Sequence, residues 1–184
     1  MKYGYIALFV GALATSACSD SPATPTGIPA EPLPGVSATG PTIVEIAVGN
    51  PSFTTLVAAL QRANLVTPFT GVQPYTVFAP TNAAFDAAAA ALLGPGKTGL
   101  DLVNGLSVNN LTSVLLYHVS IGGQDAATVL GAGRVLMLDG NSATVRVSGG
   151  VARIEGATIV ATDVKAKNGF IHVIDSVLLP PALR

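Results

Sequence analysis

The chain has 184 residues, nine basic and ten acidic side chains, and a formal charge of −1. Its basic residues are scattered and its few aromatic residues are not interleaved with arginines, so the cationic footprint and stacking platform of a nucleic-acid binder are both missing. A single cysteine excludes an intrachain disulfide.

Met1 and Lys2 precede an apolar run from Ile6 to Ala14 that closes on small residues before Cys18. This is the layout of a secretory signal segment over residues 1–17. The run falls short of the roughly 20 residues of a membrane-spanning helix, and no later stretch of that kind follows, so membrane contact would have to come from an anchor. Ala14-Thr15-Ser16-Ala17-Cys18 resembles a bacterial lipoprotein signal, in which the cysteine becomes the lipidated first residue; Thr15 stands where such signals usually carry Leu. Two outcomes follow. Lipidation of Cys18 would hold the protein at the outer membrane, the cell surface or the periplasm, whereas cleavage after Ala14 or Ala17 would leave a secreted protein. Either places the chain outside the cytoplasm. Residues 18–41 are rich in Pro, Thr and Ser without hydrophobic periodicity, which predicts an extended tether that cannot repay the entropy of folding.

Residues 42–181 form one domain's worth of chain, long enough to bury a core without metal or disulfide. A short helix is expected over Ile43 to Val48. Asn50-Pro51 opens another, since Asn caps backbone donors and Pro fits the first helical position. Phe53, Leu56, Val57, Leu60 and Ala63 then repeat at three and four as a buried stripe, closed by Pro68. Tyr75 to Ala79 reads as a strand stopped by Pro80. Thr81 or Asn82 caps the next helix, which runs through Phe85 and an alanine series to Leu92 and ends at Gly94-Pro95. Gly94 to Gly99 reads as a loop. Asn109-Asn110 opens a helix whose Leu111, Val114, Leu115 and His118 share one face. On so apolar a face His118 reads first as a core histidine with hydrogen-bonded ring nitrogens.

Beyond Gly123 the period drops to two and strands dominate. Arg134 to Leu138 precedes the turn Asp139-Gly140, Val145 to Val147 precedes Gly149-Gly150, and Ala152 to Ile154 precedes Glu155-Gly156. Thr158 to Val164 and a long last strand, Phe170 to Leu179, flank a turn at Lys165 to Gly169. Arg146, Arg153, Lys165 and Lys167 are expected to stay in water. The pattern is α+β, with helices gathered early and an antiparallel, hairpin-rich sheet later whose last strand lies centrally.

Three stretches resemble the fasciclin family. They are Tyr75-Thr76-Val77-Phe78-Ala79-Pro80-Thr81-Asn82-Ala83-Ala84-Phe85, the central Leu115-Leu116-Tyr117-His118-Val119, and Asn168-Gly169-Phe170-Ile171-His172-Val173-Ile174-Asp175-Ser176-Val177-Leu178-Leu179-Pro180. The resemblance implies a wedge of two β-sheets with a cluster of helices packed beside it. It also implies adhesion, matrix association and protein contact, with Tyr117 and His118 as the interaction or packing motif. Thr76, Phe78, Pro80, Thr81, Asn82, Phe85, Asn168, Gly169, His172 and Asp175 are the structural signature. Asn168-Gly169 suits a tight turn because both residues tolerate positive φ. A carboxylate at Asp175, buried in the strand, would need hydrogen-bond donors.

An enzyme would have to draw on His118, His172, Asp163, Asp175, Tyr117 or a serine. The two histidines stand far apart, and neither H-E-x-x-H nor G-x-S-x-G occurs. The expectation is a non-enzymatic protein without cofactor or metal, binding a cell-surface or matrix protein or polysaccharide. The membrane would be reached only through a lipid on Cys18, and nucleic acid is not a partner. The competing reading is a carrier of a small apolar ligand such as a lipid or pigment, which requires a cavity of several hundred cubic ångströms.

Overall fold

In the computed structural model the described residues are 39–71 and 73–183. The expected signal segment, Cys18 and the tether as far as residue 38 lie outside them. The elements in chain order are α1 (Ile43–Gly49), α2 (Thr54–Arg62), β1 (Tyr75–Pro80), α3 (Asn82–Leu93), α4 (Gly99–Gly105), α5 (Val108–Leu116) and β2 (Val119–Ile121). They continue as α6 (Ala126–Ala132), β3 (Arg134–Leu136), β4 (Ser142–Ser148), β5 (Val151–Ile154), β6 (Ala157–Ala166) and β7 (Gly169–Ile174). No single described helix is long and apolar enough to cross a membrane.

The helix starts follow from local chemistry. Thr42 and Glu45 form a reciprocal capping box on α1. Asn50 accepts from the Ser52 N–H and opens a 3₁₀ turn, Pro51–Phe53, that leads into α2. Ser107, not the expected Asn109-Asn110, caps α5 by accepting from the Asn110 N–H. Two helices escape the sequence reading. α4 lies where a loop ends in the expectation; its signal is the capping box Thr98-x-x-Asp101. α6, capped by Asp125, interrupts the region where only strands are expected.

The strands run in the order β2-β1-β7-β6-β5-β4-β3. The strands beyond Gly123 pair antiparallel as expected, whereas β1, earlier in the chain, joins β7 in parallel, with Phe78 opposite His172. Parallel neighbours need a long crossover, which the intervening helices and strands supply, and local turn signals carry no trace of it. β6 pairs with β5 through Thr158 and Ala157 and with β7 along the rest of its length, with register shifts around Ala161. Such bulges bend a strand, so the two halves of the expected wedge join through β6. The outermost strands then meet: Ser120 bridges Met137, and the Leu138 N–H donates to the Val119 carbonyl at 2.7 Å. The sheet is nearly a barrel and leaves little free edge.

β1 and β7 are covered on both sides. Val77, Ala79 and Ile171 face a core shared with Ile43, Val44, Phe53, Leu56, Leu60, Leu102 and Leu115 from the helices. Phe78 and Ile174 face a second core, with Tyr117, Val129, Val135, Met137, Val145, Ile154 and Leu178, inside the rolled sheet. This explains why β1 is almost continuously apolar, as strands buried on both faces are. β7 stops at Ile174, short of the expected Leu179, because the chain turns at Asp175 and carries Leu178 back into the second core.

Candidate functional site

His118 follows α5 by two residues, which sets its ring back over the last helical turn. Its Nδ1 lies 2.7 Å from the Val114 carbonyl, and its Nε2 accepts the Leu178 N–H at 2.9 Å. Because Nε2 must be an acceptor, the ring proton sits on Nδ1 and donates to Val114. The residue is 2 % exposed. Burial pushes its pKa down to about 4, against the opposing pull of the Val114 carbonyl.

His172 carries the opposite tautomer. Its Nδ1 accepts the Asp163 N–H at 3.3 Å, which leaves Nε2 to donate to the Gln124 carbonyl at 3.1 Å. Its ring also lies 5.5 Å from that of Phe78, centroid to centroid. Burial lowers its pKa, while the Gln124 carbonyl and the charges of Asp163 and Asp125 pull the other way. Beside it, the Thr76 hydroxyl donates to the Gly122 carbonyl at 2.7 Å and accepts the Gln124 N–H at 2.8 Å. Asp163, at φ +58° in the β6 bulge, accepts the Ala126 N–H at the start of α6. Thr76, Gln124, His172 and Asp163 therefore tie β1, β7, β6 and the loop into α6 together. Gln124 carries no motif signal and is absent from the sequence reading.

The other signature residues also hold chain to chain. Thr81 caps α3 through the Ala84 N–H. Asn82 serves a different helix: its Oδ1 accepts the Thr55 N–H at 3.0 Å, and its Nδ2 donates to the Pro51 carbonyl at 2.9 Å, fixing the entrance of α2. Phe85 is a core residue against which Gly99 packs. Pro80 is the last residue of β1. Asn168 is buried, and its amide accepts the Ile43 N–H at 2.9 Å and donates to the Phe69 carbonyl at 2.7 Å. Its role is a junction of α1, the 3₁₀ turn Thr67–Thr70 and β7. Only Gly169 of the Asn168-Gly169 pair uses positive φ, at +138°. Asp175 is exposed, not buried in the strand as expected; it accepts from the Thr158 N–H at 2.7 Å and from the Ser176 hydroxyl. Tyr117 is 1 % exposed, inside the second core. Cys18 lies outside the described residues.

These side chains do not converge on a reacting centre. His118 and His172 face different partners, and each has both ring nitrogens engaged by backbone groups. Among the described residues no group of three His, Cys, Asp or Glu side chains is placed to hold a metal. The cavity in the first core, lined by Phe53, Leu56, Phe69, Val77 and Ile171, measures about 30 Å³. A second apolar hollow, between Phe85, Leu102, Leu111 and Leu183, measures about 180 Å³. Both fall below the roughly 300 Å³ at which small-molecule sites begin.

Fold and junctions together define a class: an α+β domain with its sheet rolled nearly closed and both ring nitrogens of each histidine engaged by backbone groups. Residues 51–180 match the fasciclin domain family, and the chain belongs to that family. It is similar to the protein sll1483 of Synechocystis, with 44% identity over 140 residues, covering 76% of this chain and 74% of the relative. It is also similar to the cell surface glycolipoprotein MPB83 of Mycobacterium bovis, at 35% identity over 145 residues, covering 76% of this chain and 61% of the relative. Among solved structures it matches a FAS1 domain pair from the insect cell adhesion molecule Fasciclin I. The TM-score is 0.66 at 17% identity, covering 77% of this chain and about half, 52%, of that one. Fasciclin domains thus occur in adhesion proteins.

Proposed function

We propose that this is an exported fasciclin-domain protein that binds macromolecules, protein or polysaccharide, at the cell surface or in the surrounding matrix. The observation that carries this reading is the filled interior. Among the described residues the first-core cavity of about 30 Å³ and the apolar hollow of about 180 Å³ are both smaller than the roughly 300 Å³ at which small-molecule sites begin, so recognition falls to the outer surface. The motif side chains Tyr117, His118 and His172 are buried and serve as braces behind that surface. Turnover of a substrate is not part of this reading, in which His118, His172, Asp163 and Asp175 hold backbone groups. Family membership supports the adhesive role, and the glycolipoprotein relative supports a surface location with Cys18 as the lipid-bearing residue. A tether over residues 18–41 would let anchored copies sample partners at high effective concentration.

Affinity capture with the tagged full chain from surface and matrix fractions, followed by native mass spectrometry, tests the proposal. A specific protein or polysaccharide bound without chemical change supports it. A stoichiometric co-purifying lipid or pigment with no macromolecular partner overturns it. Intact mass spectrometry of membrane-extracted protein tests the anchor separately: an N-terminus near Cys18 without acyl mass removes lipidation and leaves export standing.

A further inference from the structure

Strand register concentrates positive charge on one outward face. Arg146 on β4 stands directly opposite Arg153 on β5, and Arg134 on β3 stands opposite Thr144. Side chains directly opposite, or two apart on one strand, share a sheet face, so all three arginines point the same way. The alternate residues Val135, Ala143, Val145 and Ile154 fill the second core. Three of the chain's five arginines therefore gather on this face of a protein whose net charge is only −1. Like charges directly opposite destabilise a sheet pair, and Glu155 lines the same groove beside the two arginines. Asp175 acts on Arg153 electrostatically from beyond β6 and is held by Thr158 and Ser176. Glu155 is committed at one oxygen to the Thr144 N–H, at 2.7 Å.

The face is also concave. Thr144, Arg146, Ser148, Arg153, Glu155 and Gly156 line a polar groove of about 620 Å³, within the size range of ligand sites. Guanidinium groups match carboxylates in a two-pronged geometry, and the flanking Thr144 and Ser148 hydroxyls suit sugar hydroxyls. Among the described residues no aromatic side chain lines the groove to stack a nucleobase.

We infer that the Arg146–Arg153 groove binds the carboxylates of an acidic, uronate-bearing polysaccharide. The inference rests on the surface-binding reading above and names its ligand class. Isothermal titration of the full chain with alginate oligomers tests it, with neutral dextran and phosphatidylglycerol vesicles as comparators and the R146Q/R153Q double variant as the control. The expected result is alginate binding that weakens with added salt and falls at least tenfold in the double variant, with a melting temperature at or above that of the wild type showing that the fold is intact. Absence of alginate binding, equal binding by the double variant, or preference for the vesicles overturns the inference. Affinity capture separates the two readings: if alginate fails to bind the wild-type chain while both it and the double variant still recover a macromolecular partner, the groove assignment falls and the adhesive reading stands.

Discussion

The Nε2 of His118 accepts the backbone N–H of Leu178, so a residue at the end of α5 holds the returning C-terminal segment across the second core at 2.9 Å. Protonating Nε2 would remove that acceptor and place a charge in an apolar interior. Its pKa is about 4 in the folded protein against the ordinary 6.5. The neutral form is therefore favoured by folding, and stability is full above pH 6.5 and falls as pH drops toward 4. At about 1.4 kcal/mol per pKa unit the loss is about 3 kcal/mol. His172, also lowered, adds to it in the same direction. Urea unfolding at pH 7, 5.5 and 4 should show the midpoint falling, and His118→Gln should show a smaller fall on a lower baseline. An equal pH dependence in that variant would remove His118 as its source.

Replacing either histidine with Ala should lower the melting temperature, because packed ring atoms and two hydrogen bonds are lost together and buried backbone groups are left unpaired. A cost of about 2–4 kcal/mol is expected from such losses. Thermal denaturation followed by circular dichroism checks it. An unchanged melting point with lost partner binding would make the residue a recognition group instead.

Asn168→Ala should be costly for a related reason, since one side chain satisfies the Ile43 N–H and the Phe69 carbonyl in the interior. A loss of about 2–4 kcal/mol in chemical denaturation is expected. Asn168→Asp keeps the acceptor but loses the donor, and burying a carboxylate there adds its own penalty. It should therefore be no more stable than the alanine variant.

Gly169→Ala should abolish folding or leave only aggregated protein. A Cβ at that position would lie 1.7 Å from the Tyr75 carbonyl oxygen, on backbone at φ +138° that side chains rarely adopt. Gly99→Ala is the milder counterpart: its Cβ would meet the Phe85 Cβ at 2.5 Å, and α4 would have to shift from α3. Soluble yield and melting temperature should rank wild type above Gly99→Ala, and Gly99→Ala above Gly169→Ala. A soluble Gly169→Ala protein with a native melting point would refute the close approach.

Asn82→Ala should destabilise by about 1–2 kcal/mol, the usual cost of losing a helix cap. The damage should appear at α2, not at α3. Hydrogen exchange at the Thr55 amide is the direct measurement, and unchanged protection there would count against the junction.

Much of the architecture is legible in local patterns. The stripe Phe53, Leu56, Leu60 and Ala63 has the helical period, and the Gly-containing turns at 139–140, 149–150 and 155–156 mark hairpins, because period and turn chemistry are set by near neighbours. The gathering of helices before strands follows from the same signals, and the three family-like motifs mark the fold. Long-range geometry is not written there. The parallel pairing of β1 with β7, the closure of β2 on β3 and the reach of Asn82 to another helix all join residues far apart in sequence. α6 escaped for a related reason: Ala, Val, Leu and Gly suit helix or strand alike, and the tertiary contacts of Val129 inside the second core decide between them. The sequence by itself thus determined the α+β class and the identity of the polar residues at the junctions. Only the tertiary structure decided which backbone groups those residues satisfy, because burial leaves each N–H and C=O in need of a partner whatever its distance along the chain.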